Sequence, residues 1–232
     1  MRRIGLIGGM SWESSANYYR LINEGVHRRL GGHHSAELVM VSVDFGPIEE
    51  MQRRGAWDEA ATLLAGAGTA CARAGAEALL LCTNTMHLVA GAIEAAAGIS
   101  LIHIADATAT AIGSAGLESV GLLGTRFTME EPFYKDRLEK RFGLRIVVPG
   151  EKAREEVDRI IFEELVHGRV EQTSRRRYLE IVEELAAAGA EGVILGCTEI
   201  GMLISDGDHR LPFFDTTEIH ARSAVDWLLN DR

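Results

Sequence analysis

The segment GAEALLLCTNT (75–85) returns later in the chain as GAEGVILGCTE (189–199). Gly75, Ala76 and Glu77 lie over Gly189, Ala190 and Glu191, and one apolar run lies over the other without a gap. Upstream, IGLIGGMSW (4–12) lies over VGLLGTRFT (120–128), and the two motifs follow each other at nearly the same distance in each half. Two motifs in the same order and spacing mark an internal duplication. The chain therefore reads as two similar halves built on one plan.

That plan is α/β. Short β-rich runs at 3–7, 37–43, 78–81, 101–104, 119–123, 144–148, 192–195 and 211–214 alternate with helical patterns near 13–30, 57–74, 87–97, 105–115, 129–142, 151–167, 173–188 and 216–229. The strand runs are apolar on both faces, which predicts parallel strands covered by helices with right-handed crossovers. Thr128 with Glu131, and Asp215 with Glu218, have the spacing of helix-start capping pairs. The expectation is two doubly wound domains with parallel four-stranded sheets related by pseudo-twofold symmetry, one of residues 1–103 plus 208–232 and the other of 104–207. Ligands of such sheets bind beyond the carboxyl ends of the strands. Those ends are GGMS (8–11), CTNT (82–85), GTRFT (124–128) and GCTE (196–199), expected to meet around one cleft.

The register of the repeat bears on the chemistry. Cys197 lies over Thr83, whereas Cys82 lies over Gly196. Neighbouring residues at a strand end point in different directions, so Cys82 and Thr83 do not share the direction that Cys197 takes. The repeat sets Thr83 opposite Cys197 and leaves Cys82 as a small buried hydrophobe. A rotated strand-end turn would bring Cys82 inward instead, so both stay open as the second acid/base.

Composition narrows the field. A chain of 232 residues, 47% hydrophobic, can bury one large core or two modest ones. The net charge of −10 argues against nucleic acid or an anionic membrane as partner. The cluster Arg175-Arg176-Arg177 sits in a helical pattern and reads as a solvated face. Three cysteines do not make a disulfide framework. The apolar run after Met1-Arg2-Arg3 is too short for a signal peptide, and no apolar segment reaches the roughly 18 residues of a membrane span. The expectation is a cytoplasmic protein with reduced thiols. GLIGG is neither G-x-G-x-x-G nor a Walker loop, so nucleotide binding is unsupported. No metal-ligand spacing appears around His33-His34 or elsewhere.

GLIGGMSWES, LCTNTMH, HIADAT, LLGTRFTME, GCTEIG and FDTTEIHA together resemble the aspartate/glutamate racemase superfamily, over nearly the whole chain. The resemblance implies a pair of α/β domains, a homodimer, a free amino acid as substrate and no cofactor. It also implies two thiols flanking the α-carbon, one removing the α-proton and the other delivering a proton to the opposite face. This sequence departs from the pattern at one of them. The usual C-N-T-x-H motif reads Thr83-Asn84-Thr85-Met86-His87 here, with Cys82 displaced by one. A second departure is VDFGPIEEMQ (43–52), which offers Gln52 and acidic residues where some aspartate racemases hold the side-chain carboxylate with arginine.

The chemistry explains the residue types. An α-proton is a very weak acid, so its removal without a cofactor needs a desolvated base and strong stabilisation of the enediolate-like carboxylate. Thiolate serves when its pKa is lowered, and backbone amides entering a helix after Cys197 would lower it. Thr83 and Cys197 are the catalytic candidates. Asn84, Thr85 and Thr198 are placed to donate to the substrate carboxylate, with Met10, Ser11 and Gln52 from the first half and Thr125 or Thr128 from the second. Glu199 fits the α-amino group, or else caps its own helix. Asp106, His87 and His220 are candidates for orienting these groups, and His103 reads as a core residue.

Two rival functions share these motifs. A single-cysteine enzyme of the same superfamily, like the arylmalonate decarboxylases, uses its thiol as a proton donor after loss of carbon dioxide. A non-catalytic amino-acid-binding protein would bind ligand without solvent exchange at the α-carbon.

Overall fold

The computed structural model describes residues 1–230. The chain divides into two compact units, one of Met1–Ile104 together with the chain from His220 onward, the other of Ala105–Ile219. The second break lies farther along than the expected 207/208. The strand at Phe213–Asp215 pairs in the second sheet, and only then does the chain return to the first unit.

Each unit holds one parallel four-stranded sheet. In the first, β1 (Ile4–Gly8), β2 (Leu38–Ser42), β3 (Ala78–Leu81) and β4 (Leu101–Ile102) are ordered β2-β1-β3-β4. In the second, β5 (Ser119–Gly124), β6 (Arg145–Val147), β7 (Gly192–Gly196) and β8 (Phe213–Asp215) are ordered β6-β5-β7-β8. The duplication legible in the sequence is thus a duplication of sheet topology. Every strand expected from the apolar runs is present.

The first sheet is packed on both faces, as its apolar strands require. Ile7, Leu79 and Leu81 enter one cluster with Leu64, Cys71 and Ile93. Their neighbours Leu6, Leu80 and Cys82 enter another with Tyr18, Ile22, Ala224 and Leu228. The split follows the two-residue alternation of a strand.

The helices are α1 (Trp12–Leu30), α2 (Phe45–Arg54), α3 (Trp57–Arg73), α4 (Ala90–Ala97), α5 (Ile104–Ser114), α6 (Arg126–Glu130), α7 (Pro132–Phe142), α8 (Glu151–Glu163), α9 (Gln172–Ala187) and α10 (Thr216–Leu229). The sequence reading passes over α2. Its Gly-Pro start masks a helix capped by Asp44, whose side chain accepts from Gly46 N. The helix expected over 129–142 is two helices, because Pro132 opens α7 and forces the preceding Glu131 into extended backbone. Thr128 and Glu131 therefore form no capping pair. Thr125 caps α6 instead, accepting from Thr128 N. Asp215 does cap α10, accepting from Thr217 N at 2.8 Å and Glu218 N at 3.2 Å. The pattern at 87–97 begins as a 3₁₀ turn, Thr85–Val89, before α4, and that at 151–167 ends as one, Leu165–His167, after α8.

Candidate active site

In the first unit, β1 and β3 are neighbours with Ile7 beside Leu81, and Cys82 N donates to Ile7 O at 2.9 Å. The segments GGMS and CTNT therefore leave the sheet side by side. Gly9 turns the chain there at φ +98°, and a Cβ on it would lie 2.1 Å from Val43 O. Only glycine fits that approach. Gly9 N donates to Ser15 Oγ at 2.7 Å, and Ser15 Oγ donates to Ser11 O at 2.8 Å, which ties the turn to the start of α1. Ser11 Oγ accepts from Ser14 N as the helix cap, and the Met10 side chain is buried in the first core cluster. Gln52, brought in by α2, is buried and donates from Nε2 to Met86 Sδ at 3.0 Å.

The end of β3 separates the two candidates of LCTNTMH. Cys82 is fully buried in the core, its thiol pKa pushed far up by that burial. Thr83, the next residue, is half-buried, while Asn84 and Thr85 are buried behind it. His87 holds this turn. Its Nδ1–H donates to Thr83 O at 2.7 Å, and its Nε2 accepts from Ile104 N at 3.2 Å. Those partners fix one neutral tautomer. Burial, with His103 and His220 close by, keeps the His87 pKa well below the ordinary imidazole value. His220 is locked likewise, accepting from Tyr18 Oη at Nδ1 (2.9 Å) and donating from Nε2 to Ile102 O (2.7 Å). Burial pushes its pKa down to about 4. Both histidines thus orient backbone.

The second unit repeats the layout. β5 and β7 are neighbours with Gly124 beside Gly196, so Thr125 and Cys197 leave adjacent strand ends. A Cβ on Gly196 would meet Leu123 O at 2.9 Å and Leu122 Cδ1 at 3.1 Å. The position that aligns with Cys82 is thus packed tight in this half as well. Cys197, which aligns with Thr83, is half-buried, as is Thr198. Thr125 is buried with its hydroxyl 3.2 Å from that of Thr128, and it serves the cap of α6.

The thiol of Cys197 donates to Glu199 Oε2 at 3.0 Å, and Thr198 Oγ1 donates to the same oxygen at 2.6 Å. Glu199 is buried. This corrects the expectation of an activated thiolate at a helix start. Cys197 runs into a turn and the 3₁₀ segment Ile200–Met202, which supplies no long helix dipole. Burial, followed by the charge of Glu199, holds the thiol pKa well above its ordinary value. Cys197 rests as a thiol.

One residue near these groups carries no sequence signal. Asp158, on α8, accepts from Arg126 N at 2.7 Å and adds its charge near Cys197. His103, expected in the core, is only half-buried, its ring centroid 4.6 Å from that of His87. Asp106 is engaged elsewhere than expected: Arg137 meets it with both Nε and Nη2, and Arg141 lies 3.0 Å away, so it anchors α7. Among the described residues no group of three or more His, Cys, Asp or Glu could hold a metal ion, and no helix is long and apolar enough to cross a membrane.

Residues 7–224 match the family model of the Asp/Glu/hydantoin racemases. A candidate Asp/Glu racemase from Yersinia pestis is 50% identical, with a TM-score of 0.94 over 99% of this chain and 100% of that one. An aspartate racemase homologue from Pyrococcus horikoshii OT3 is 35% identical, with a TM-score of 0.85 over 99% and 100%. The glutamate racemase of Francisella tularensis, solved with D-glutamate, shares the fold at 16% identity and a TM-score of 0.61, over 98% of this chain and 80% of its own. By the extent of the family match and the two close relatives, the chain belongs to the Asp/Glu/hydantoin racemase family.

Proposed function

We propose that the protein is a cofactor-independent amino-acid racemase that interconverts L- and D-amino acids through Cys197 and Thr83. The observation that carries this reading is the matched register of the two halves. In each, a tightly packed strand-end position (Cys82, Gly196) is followed by a half-buried one (Thr83, Cys197). Cys197 removes or returns the α-proton at one face of the α-carbon. Thr83, at the other face, relays a proton through its hydroxyl. Asn84, Thr85, Thr198 and backbone N–H groups of the same turns steady the substrate carboxylate as charge moves onto it. Ser11, Met10, Gln52 and Thr125 complete the substrate contacts. The family resemblance further implies a homodimer, and the sequence reading points to the cytoplasm.

The test is incubation of a panel of L- and D-amino acids in D2O, with loss of the α-proton signal followed by NMR. Exchange at the α-carbon of a free amino acid, surviving EDTA and hydroxylamine but not thiol alkylation, is the expected result. Binding without exchange would leave an amino-acid-binding protein, and loss of carbon dioxide from a malonate-type substrate would leave a decarboxylase.

A further inference from the structure

We propose that Glu199 is the group with which Cys197 exchanges its thiol proton, so that the base of the reaction is a thiol–carboxylate pair rather than a lone thiolate. The inference rests on Cys197 being the acid/base of the proposed racemase, but the pair itself is a property of the resting protein.

The geometry is direct. Cys197 Sγ lies 3.0 Å from Glu199 Oε2, within reach for sulfur as donor, and the carboxylate is buried. Thr198 donates to the same oxygen at 2.6 Å, which keeps Oε2 turned toward the thiol. A carboxylate so placed has two opposite effects. Its charge opposes formation of a second anion beside it, which is one reason the thiol is held protonated. It also offers the thiol proton a place to go without crossing solvent.

The steps balance as proton transfers. The S–H bond of Cys197 breaks and an O–H bond forms on Glu199, giving thiolate beside a neutral carboxyl with no change in net charge. The thiolate then takes the substrate α-proton: the C–H bond breaks, an S–H bond forms, and the electron pair stays on the substrate as the enediolate-like carbanion. In the reverse sense the Cys197 thiol protonates the carbanion, and Glu199 returns its proton to sulfur. Glu199 acts through Cys197 and need not touch the substrate.

The pair predicts opposite responses of reactivity and turnover to one substitution. Cys197 is alkylated with iodoacetamide across a pH series, the site being read by peptide mass so that buried Cys71 and Cys82 do not interfere, and α-proton exchange is measured in parallel. In the wild type, the minor thiolate–carboxyl form gives an alkylation rate nearly flat between pH 5 and 6.5. In Glu199→Gln that rate climbs about tenfold per pH unit, as for an isolated thiol, and it exceeds the wild-type rate near pH 8 because the opposing charge is gone. Exchange in the same variant falls about 100-fold despite the more reactive thiol. Glu199→Asp keeps a flat segment at reduced height and restores part of the exchange. Superimposable alkylation profiles for wild type and Glu199→Gln overturn the pair, as does exchange that rises along with thiolate. A wild type that exchanges no amino acid at all overturns the racemase reading, and the alkylation profile still decides the pair.

Discussion

The Tyr18 hydroxyl donates to Nδ1 of His220 at 2.9 Å, joining α1 to α10 across 202 residues of sequence. With Nε2 donating to Ile102 O, the ring is useful only while neutral. Its folded pKa of about 4 lies below the ordinary 6.5. Below pH 6.5 the unfolded chain takes up a proton that the native ring refuses. The stability tied to the neutral ring is therefore complete above pH 6.5 and is lost as pH falls toward 4. The loss is about 3 kcal/mol over that window, and His87 acts in the same direction. Urea midpoints at pH 7 and 4.5 should fall steeply for the wild type and less steeply for His220→Gln, which starts lower. Equal slopes would remove His220 from the account.

Thr83 offers a hydroxyl where its counterpart offers a thiol, so the two enantiomers should exchange at unequal rates. Thr83→Cys should bring the two rates closer together, since thiol is the better acid and base near neutral pH. The His87 bond is to the Thr83 carbonyl, not its side chain, so the exchange of side chain leaves the clamp intact. Rates for L- and D-substrate measured separately in D2O decide the point, and unchanged asymmetry in Thr83→Cys would count against it.

The three thiols should part company under mutation. Cys197→Ser should cut exchange by orders of magnitude with the melting temperature preserved. Cys82→Ala removes a fully buried sulfur from the core and should cost about 1 kcal/mol with exchange retained. Cys71→Ala, buried on α3, should behave like Cys82→Ala. Loss of turnover in Cys82→Ala with a normal melting temperature would reinstate Cys82 as the reacting thiol.

Gly9→Ala should be the most damaging single methyl in the first unit. It combines φ +98° with a Cβ set on Val43 O and N, backbone atoms that cannot swing aside as a side chain would. A loss of about 3 kcal/mol or more is expected, read from denaturant midpoints. A variant as stable as the wild type would mean that the β1 turn relaxes.

Much of this was legible in the sequence. The parallel sheets followed from strands apolar on both faces, and the duplication fixed which strand ends correspond. Residue contrasts of one position, Cys82 against Thr83 and Gly196 against Cys197, were readable because strand residues alternate in direction. What escaped depends on contacts between distant residues. Asp158 looks like any other polar position on α8, and its proximity to Cys197 has no local signature. Asp106 reads as an orienting residue because nothing near it in sequence announces Arg137 and Arg141 as partners. The position of Cys197 after a strand suggests a helix start and an activated thiol; burial, and then the charge of a glutamate two residues on, reverse the sign. Helix α2 has no clear signature because Gly46-Pro47 reads as a turn, although proline suits the first turn of a helix.

The uneven division of the chain bears on its synthesis. Residues Ala105–Ile219 form one continuous stretch, so all of the second unit has been made before the ribosome reaches the last turns of α10. The first unit begins earlier yet finishes later. One face of its sheet, with Leu6, Leu80, Tyr18 and Ile22, is closed by Ala221, Ala224, Val225 and Leu228 of α10. Until α10 is made and docks, that face stays uncovered, a natural binding surface for a chaperone. A released chain truncated after Ile219 should accordingly show a protease-resistant second unit attached to a protease-sensitive first one.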